Sequence, residues 1–122
     1  MEEPSMASNI DVQEEREGDV LIMIPVGRID SSNAPIFERL VKDRIDDGET
    51  KIVVDFTKLS FISSSGMRVL LIGAKNIQSN QGKLVLCSMR DSIREIFSIS
   101  GFDTIIPVVQ DRIAAIDLPL TG

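Results

Sequence analysis

The feature that most constrains the fold is a short apolar run at residues 51–56 (KIVVDF). β-branched residues favour a strand, and apolar side chains at successive positions predict a strand that is buried on both faces. Strands of this kind lie in the middle of a parallel sheet that is covered by helices. We therefore expect an α/β fold built around this central strand.

Strand and helix patterns alternate along the rest of the chain. Residues 10–16 and 20–26 predict two strands, joined by a turn at residues 17–19. The later elements are expected to be a helix from Asn33 to Gly48, the central strand, a helix that ends at residues 79–82, a strand at residues 83–87, a helix that opens with a capping box at Ser88 and Asp91 and stops near Gly101, a strand at residues 105–108 and a helix from Asp111. This order predicts a mostly parallel sheet.

The net charge of the chain argues against a nucleic-acid partner. The 122 residues carry a formal charge of −6, and the pI is near 4.6. Such a surface repels phosphate backbones and anionic lipid headgroups, so we expect neither nucleic acid nor a membrane as a partner. The length suits a single domain at residues 9–122, preceded by a flexible tail at residues 1–8 that lacks hydrophobic periodicity.

The chain contains no histidine and one cysteine, which excludes several classes of function. Ser-His-Asp and Cys-His catalysis and the usual zinc sites need side chains that are missing. Cys87 lies in an apolar run and is predicted to be a small buried hydrophobe. The longest apolar run, residues 20–26, is too short to span a bilayer. We expect a cytoplasmic binding protein that is not an enzyme and uses neither a metal nor a cofactor.

Three successive serines followed by a glycine, Ser63 to Gly66, stand where an apolar strand leads into a helix. One serine is expected there as the N-cap, but three exceed what capping requires. A helix N-terminus has free backbone N–H groups and a partial positive charge, which suits a phosphate on a ligand or on a serine. The segment lacks the spaced glycines and the Gly-Lys-Ser/Thr end of a nucleotide-binding loop. These observations favour a phosphorylation switch.

Two passages resemble the STAS domains, and specifically the bacterial anti-sigma factor antagonists. The first is residues 27–34 (GRIDSSNA) before a helix, and the second is residues 61–67 (FISSSGM) after the central strand. The resemblance covers nearly the whole chain. It implies a STAS fold, with a mostly parallel mixed sheet of about five strands and about four helices packed mainly on one face.

The resemblance also implies a partner-switching function. Unphosphorylated members of the family bind an anti-sigma factor serine kinase and release a sigma factor. The kinase then phosphorylates the serine before the glycine with ATP and magnesium, and a PP2C-type phosphatase restores the binding form. That serine falls on Ser65, with Ser64 as the alternative, and the protein is expected to be a monomer or weak dimer. The expected partner-binding positions are Asp30, Ser31, Ser63, Ser64, Gly66, Met67 and Arg68.

Alternatives remain open for the mechanism and for single residues. Ser63 stands where the best-studied members have aspartate, so the second hypothesis is an unphosphorylated scaffold or a subunit of a larger regulatory or transport complex. Arg68 is interpreted either as a partner for phosphate or an acidic surface, or as a solvated side chain. Met67 is interpreted as core or as a partly exposed contact. An enzyme is disfavoured because neither a phosphate loop nor a base is visible.

Overall fold

The computed structural model describes residues 9–120, and the predicted tail at residues 1–8 lies outside them. Six strands and four α-helices alternate through the described residues, with a short 3₁₀ helix at Phe102–Thr104. The elements in chain order are β1 Asp11–Glu17, β2 Val20–Ile29, α1 Ala34–Asp46, β3 Lys51–Asp55, β4 Leu59–Ile62, α2 Ser64–Ser79, β5 Lys83–Cys87, α3 Asp91–Ser100, β6 Val108–Val109 and α4 Arg112–Asp117. The α/β prediction is confirmed.

The strands form a mixed sheet in which β3 is central, as residues 51–56 predict. The strand order is β1-β2-β3-β5-β6, and β4 pairs with the far end of β2. Within residues 9–120, the β1–β2 pair is antiparallel, and the pairs β2–β3, β2–β4, β3–β5 and β5–β6 are parallel. Because β4 runs parallel to β2 and its last residue, Ile62, pairs with Ile29, the carboxyl ends of β2 and β4 meet at one edge. This edge positions the functional site.

Alternate residues of the strands enter two separate hydrophobic cores. In β3, Ile52 and Val54 pack into the larger core with residues of α1, α2 and α3, whereas Val53 faces the opposite side. The smaller core contains Val53 and Val85 together with Ala115 of α4. Three helices therefore cover one face of the sheet and one short helix covers the other, which confirms the predicted layering.

Charged groups at both ends of α4 attach it to the sheet. Arg112 donates to the carboxylate of Asp55 at 3.0 and 3.2 Å, and also to Glu15 at 2.6 Å. At the other end, the ammonium of Lys51 donates to the backbone carbonyls of Ile116 and Leu118. Lys51 and Asp55 are the first and last residues of β3, and both are buried. The polar ends of the central strand thus anchor the helix over the smaller core.

Three local predictions differ from the structure. Strand β4 is additional to the five predicted strands, because its residues do not alternate in burial: Ser60 and Phe61 are both exposed. The capping box at Ser88 is wrong; Ser88 has a left-handed φ of 64° after β5, and Arg90 is the N-cap of α3. The predicted strand at residues 105–108 is displaced to β6, since Ile106 is fully buried in the larger core.

Two other predictions concern burial and membranes. Cys87 is buried in the smaller core, and burial raises the pKa of its thiol, which confirms the prediction of a small buried hydrophobe. Among residues 9–120, no helix combines the length and the hydrophobicity that crossing a membrane requires.

Candidate functional site

The site is built around the turn that leads from β4 into α2. Ser63 is the N-cap of α2, and its Oγ accepts a hydrogen bond of 3.1 Å from the backbone N–H of Gly66. The backbone N–H of Ser63 donates to the carbonyl of Ile29 at 2.8 Å. One of the three serines therefore has the structural role that capping predicts. The same residue ties the start of α2 to the end of β2.

Gly66 lets the first turn of α2 approach the sheet closely. A Cβ at this position would lie 2.7 Å from Cγ2 of Ile29 and 2.8 Å from Cγ1 of Ile62. Both isoleucines are buried, so their methyl groups have little room to move. Gly66 is buried and contributes to the packing of α2 on the sheet, and its contact with a partner stays a prediction.

Ser64 and Ser65 are the first two residues of α2, and their hydroxyls, unlike that of Ser63, take no part in capping the helix. Neither hydroxyl forms a hydrogen bond within residues 9–120. Ser64 is exposed and Ser65 is half-buried. Both line a cavity of about 300 Å³ that is open to solvent. The structure thus separates Ser63, whose hydroxyl accepts a hydrogen bond, from two serines whose hydroxyls form none within residues 9–120.

The same cavity collects several of the other predicted site residues. Its walls come from the loop before α1, from α1 itself and from the first two turns of α2. The polar residues that line it are Ser31, Glu38, Ser64, Ser65 and Arg68. Two loops that are about 30 residues apart in sequence therefore converge, as the carboxyl ends of parallel strands do.

Asp30 shapes the loop between β2 and α1. Its carboxylate accepts from the Ser32 hydroxyl at 2.6 Å and from the Ser32 and Asn33 backbone N–H groups at 3.0 and 3.3 Å. These hydrogen bonds, first the one from the Ser32 hydroxyl, lower the pKa of Asp30. Asp30 lies in a neighbouring concavity with Arg28, outside the cavity that holds Ser65. The carboxylate is therefore a fixed negative charge beside that cavity.

Asn33 supports this loop from within, a role that the sequence analysis missed. It is the N-cap of α1 as predicted, but its side chain does not bond the helix N–H groups. Its Oδ1 accepts from the N–H of Asp30 at 2.9 Å, and its Nδ2 donates to the carbonyls of Arg28 at 3.0 Å and Asn9 at 3.2 Å. The side chain is buried, so it fixes the backbone on both sides of Asp30. Asparagine is common at helix N-caps, so the sequence alone gives no reason to expect this second role for Asn33.

The two residues after Gly66, Met67 and Arg68, differ in exposure. Met67 is only 5% exposed and belongs to the larger core, which favours the interpretation of this residue as core; its role in partner binding stays a prediction. Arg68 is exposed and forms no ion pair within residues 9–120. Its guanidinium is free to bind an anion at the mouth of the cavity. Helical geometry separates the two, since neighbouring residues lie about 100° apart around the axis.

Two exposed residues, Arg28 and Phe61, form a cation–π contact just before the two loops of the site. The guanidinium of Arg28 stacks on the ring of Phe61, 4.2 Å from its centroid. Arg28 and Phe61 are directly opposite each other in the β2–β4 pair. Among residues 9–120, no cluster of three or more cysteine or acidic side chains is arranged to hold a metal ion.

Comparisons with known proteins show what this chain is similar to. The STAS domain family model matches residues 11–115. The chain is 43% identical over 96 residues to BtrV of Bordetella bronchiseptica, whose name assigns it to the anti-sigma factor antagonists; the match spans 79% of this chain and 83% of BtrV. It is 29% identical to the anti-sigma-B factor antagonist of Listeria monocytogenes, over 82% of this chain and 89% of that protein.

A solved structure shares the fold. A Thermotoga maritima protein, also assigned to the anti-sigma factor antagonists, superposes with a TM-score of 0.78 at 25% identity, over 84% of this chain and 88% of its own.

Proposed function

This chain belongs to the STAS domain family, since the family model spans residues 11–115, and on that premise we propose that it is an anti-sigma factor antagonist switched by phosphorylation of Ser65. In its unphosphorylated form it binds an anti-sigma serine kinase, and a sigma factor is released. Phosphate on Ser65 ends that binding, and a PP2C-type phosphatase reverses the modification. The protein acts in the cytoplasm as one domain at residues 9–122 and turns over no substrate of its own.

The observation that carries this proposal is that the three serines differ in their hydrogen bonding. Ser63 uses its hydroxyl to cap α2, whereas the hydroxyls of Ser64 and Ser65 have no partner within residues 9–120. A kinase needs a hydroxyl that is not already bonded and that it can reach from solvent. Ser65 is half-buried at the cavity wall and directly precedes Gly66, in the position of the family's acceptor serine.

The start of a helix suits a switch of this kind for electrostatic reasons. A phosphate there adds roughly two negative charges, and the free N–H groups and the helix dipole stabilise them. The fold therefore tolerates the modification. The same charges lie at a solvent-open cavity, where they repel any acidic group that a partner brings. Binding is lost because the surface changes, while the core stays the same.

The test is to incubate the protein with candidate anti-sigma kinases of its own genome, ATP and magnesium, and to locate any phosphate by mass spectrometry. We expect one phosphate on Ser65 and loss of the kinase complex on size-exclusion chromatography. Ser65→Ala should abolish the modification and keep binding, whereas Ser64→Ala should leave both unchanged. Phosphate confined to Ser64 would move the switch by one residue.

The competing hypothesis is an unmodified scaffold, and the same experiment separates it. Ser63 lacks the carboxylate that the best-studied relatives carry, and this difference is the reason to test the scaffold at all. Tight kinase binding without phosphorylation, and indifference to Ser65→Glu, would support a scaffold. Absence of both binding and phosphorylation with every kinase would overturn the sigma-pathway assignment.

A further inference from the structure

A furrow runs along the surface between α1 and α2, away from Ser65. The cavity at Ser65 shares Glu38, Val69 and Ile72 with a second cavity of about 130 Å³ that continues toward Gly73. The helices lie close together along this second cavity, where a Cβ on Gly73 would lie 3.1 Å from Cγ1 of Val41. The two cavities therefore adjoin each other between α1 and α2, and we call them together the furrow; its first cavity reaches the proposed phosphorylation site, Ser65.

The floor of the furrow is apolar and its rim is charged. Val69 is only 4% exposed and forms part of the floor, while Ile72 is 43% exposed and forms a wall. Glu38 stands on the α1 side and Arg68 on the α2 side, and neither forms an ion pair or hydrogen bond within residues 9–120. The furrow thus presents an exposed isoleucine between two opposite charges that have no partner within residues 9–120, and a partner with complementary charges can bind such a surface.

We propose that this furrow is the docking site for the anti-sigma partner, and that it receives an apolar side chain flanked by a carboxylate that binds Arg68. This inference rests on the proposed function and names the partner chemistry that the same site selects. The apolar side chain covers Ile72 and Val69, and the carboxylate takes both guanidinium N–H groups of Arg68. A basic group on the same segment faces Glu38. The furrow is continuous with Ser65, so docking and phosphorylation occur on one surface.

The position of Arg68 explains how the phosphate acts on docking. Arg68 follows Ser65 by three residues on α2, a spacing that brings side chains together on a helix. A phosphate on Ser65 therefore competes with the partner's carboxylate for the same guanidinium. Phosphorylation removes a favourable contact as well as adding repulsion. Replacing Arg68 should thus weaken docking and also reduce the effect of the phosphate.

The first arm of the test compares two isoleucines with nearly equal exposure. Ile72 in the furrow is 43% exposed, and Ile96 on α3 is 45% exposed. We expect Ile72→Asp to raise the Kd for the kinase by about tenfold or more, and Ile96→Asp to leave it within about twofold. Ile72→Ala serves as a second variant with the same expected direction. Thermal unfolding of each variant checks that the fold is intact.

The second arm reverses single arginines. Arg68→Glu should raise the Kd by about tenfold, whereas Arg39→Glu, on α1 but outside the furrow lining, makes the same change in net charge and should not. In Arg68→Gln, the ratio of the Kd values for phosphorylated and unphosphorylated protein should fall at least about threefold below the wild-type ratio.

The outcomes distinguish failure of the furrow from failure of the function. If wild-type protein binds the kinase and is phosphorylated on Ser65, but Ile72→Asp binds like Ile96→Asp, the furrow is not the docking site and the proposed function stands. An unchanged ratio in Arg68→Gln would likewise overturn the role of Arg68. If wild-type protein binds no anti-sigma kinase at all, both proposals fall.

Discussion

The backbone N–H of Ser63 donates a hydrogen bond of 2.8 Å to the carbonyl of Ile29, so the loop that carries Asp30 and the turn that leads to Ser65 are joined at their base. Each loop begins where a strand ends, and the two strands are paired in parallel through Ile29 and Ile62. The functional residues therefore stand on a rigid edge of the sheet. Changes at this edge should therefore alter both the site and the stability of the protein.

Ser63 should be replaceable by aspartate but not by alanine. Ser63→Ala removes the acceptor for the Gly66 N–H, so we expect the free energy of unfolding to fall by about 1 kcal/mol. Ser63→Asp keeps an acceptor and adds a negative charge at the helix start, so it should equal or exceed wild-type stability. Urea denaturation measures both variants. Equal loss in the two variants would show that the side-chain oxygen does not cap α2.

Two glycines of α2 should respond differently to alanine. At Gly66 the new methyl group would overlap two buried isoleucines, so we expect a loss of about 1–3 kcal/mol in the free energy of unfolding. Gly73→Ala is the matched control: its single close contact is 3.1 Å, and the better helix propensity of alanine offsets the strain. Its effect should stay within about 1 kcal/mol of zero. A larger loss at Gly73 would contradict this packing argument.

Asn33→Ala should loosen the Asp30 loop. The change leaves the Asp30 N–H and the Arg28 carbonyl without their partner, which should cost about 2 kcal/mol of stability. Amide hydrogen exchange at Asp30, followed by NMR, should become faster because the N–H loses its acceptor. Ser31→Ala, at an exposed position of the same loop, is the control and should leave that exchange rate unchanged. Unaltered exchange in Asn33→Ala would refute the supporting role.

Asp55 should make the stability depend on pH in the acid range. Burial alone would raise its pKa, but hydrogen bonds from Thr57 and Arg112 outweigh burial and hold the pKa below the usual value. A lowered pKa stabilises the folded state above the unfolded pKa of about 3.9, and this contribution is lost as the pH falls through the folded value.

Asp55→Asn tests this dependence directly. At pH 7 it should lower the free energy of unfolding by about 2 kcal/mol, because charge-assisted hydrogen bonds are lost from a nearly buried side chain. The difference from wild type should shrink as the pH is lowered below about 4. Asp46→Asn, in an exposed pair with Lys42, is the control. A difference that does not change with pH would exclude Asp55 as the source.

The larger features of the fold could be predicted because they depend on local patterns. The apolar run at residues 51–56 identified the central strand, and its alternation between two cores follows from strand geometry. Gly101 ends α3 with a left-handed φ of 81°, as its type and position predict. Asp111 caps α4 through the N–H of Ala114. In each case the deciding interaction lies within a few residues along the chain.

The features that could not be predicted depend on contacts between distant residues. Strand β4 forms because Leu59–Ile62 pair with β2, about 30 residues earlier in the chain. Its own residues do not alternate between buried and exposed, so the sequence does not predict a strand there. Asn33 looks like an ordinary cap until the fold brings Asn9 and Arg28 within reach of its amide. The furrow beyond Ser65 forms between two helices, so it could not be predicted before their packing was known. The role of Ser65 itself remains a prediction.

The position of α4 late in the chain affects how the protein is made. The inner surface formed by Val53, Val85 and Cys87 stays uncovered during synthesis until residues 112–117 have left the ribosome. A chain that stops before Arg112 also leaves the buried carboxylate of Asp55 without its cation. Incomplete chains should therefore carry a sticky apolar face that chaperones and proteases recognise. The smaller core is therefore covered only in chains that are long enough to include α4.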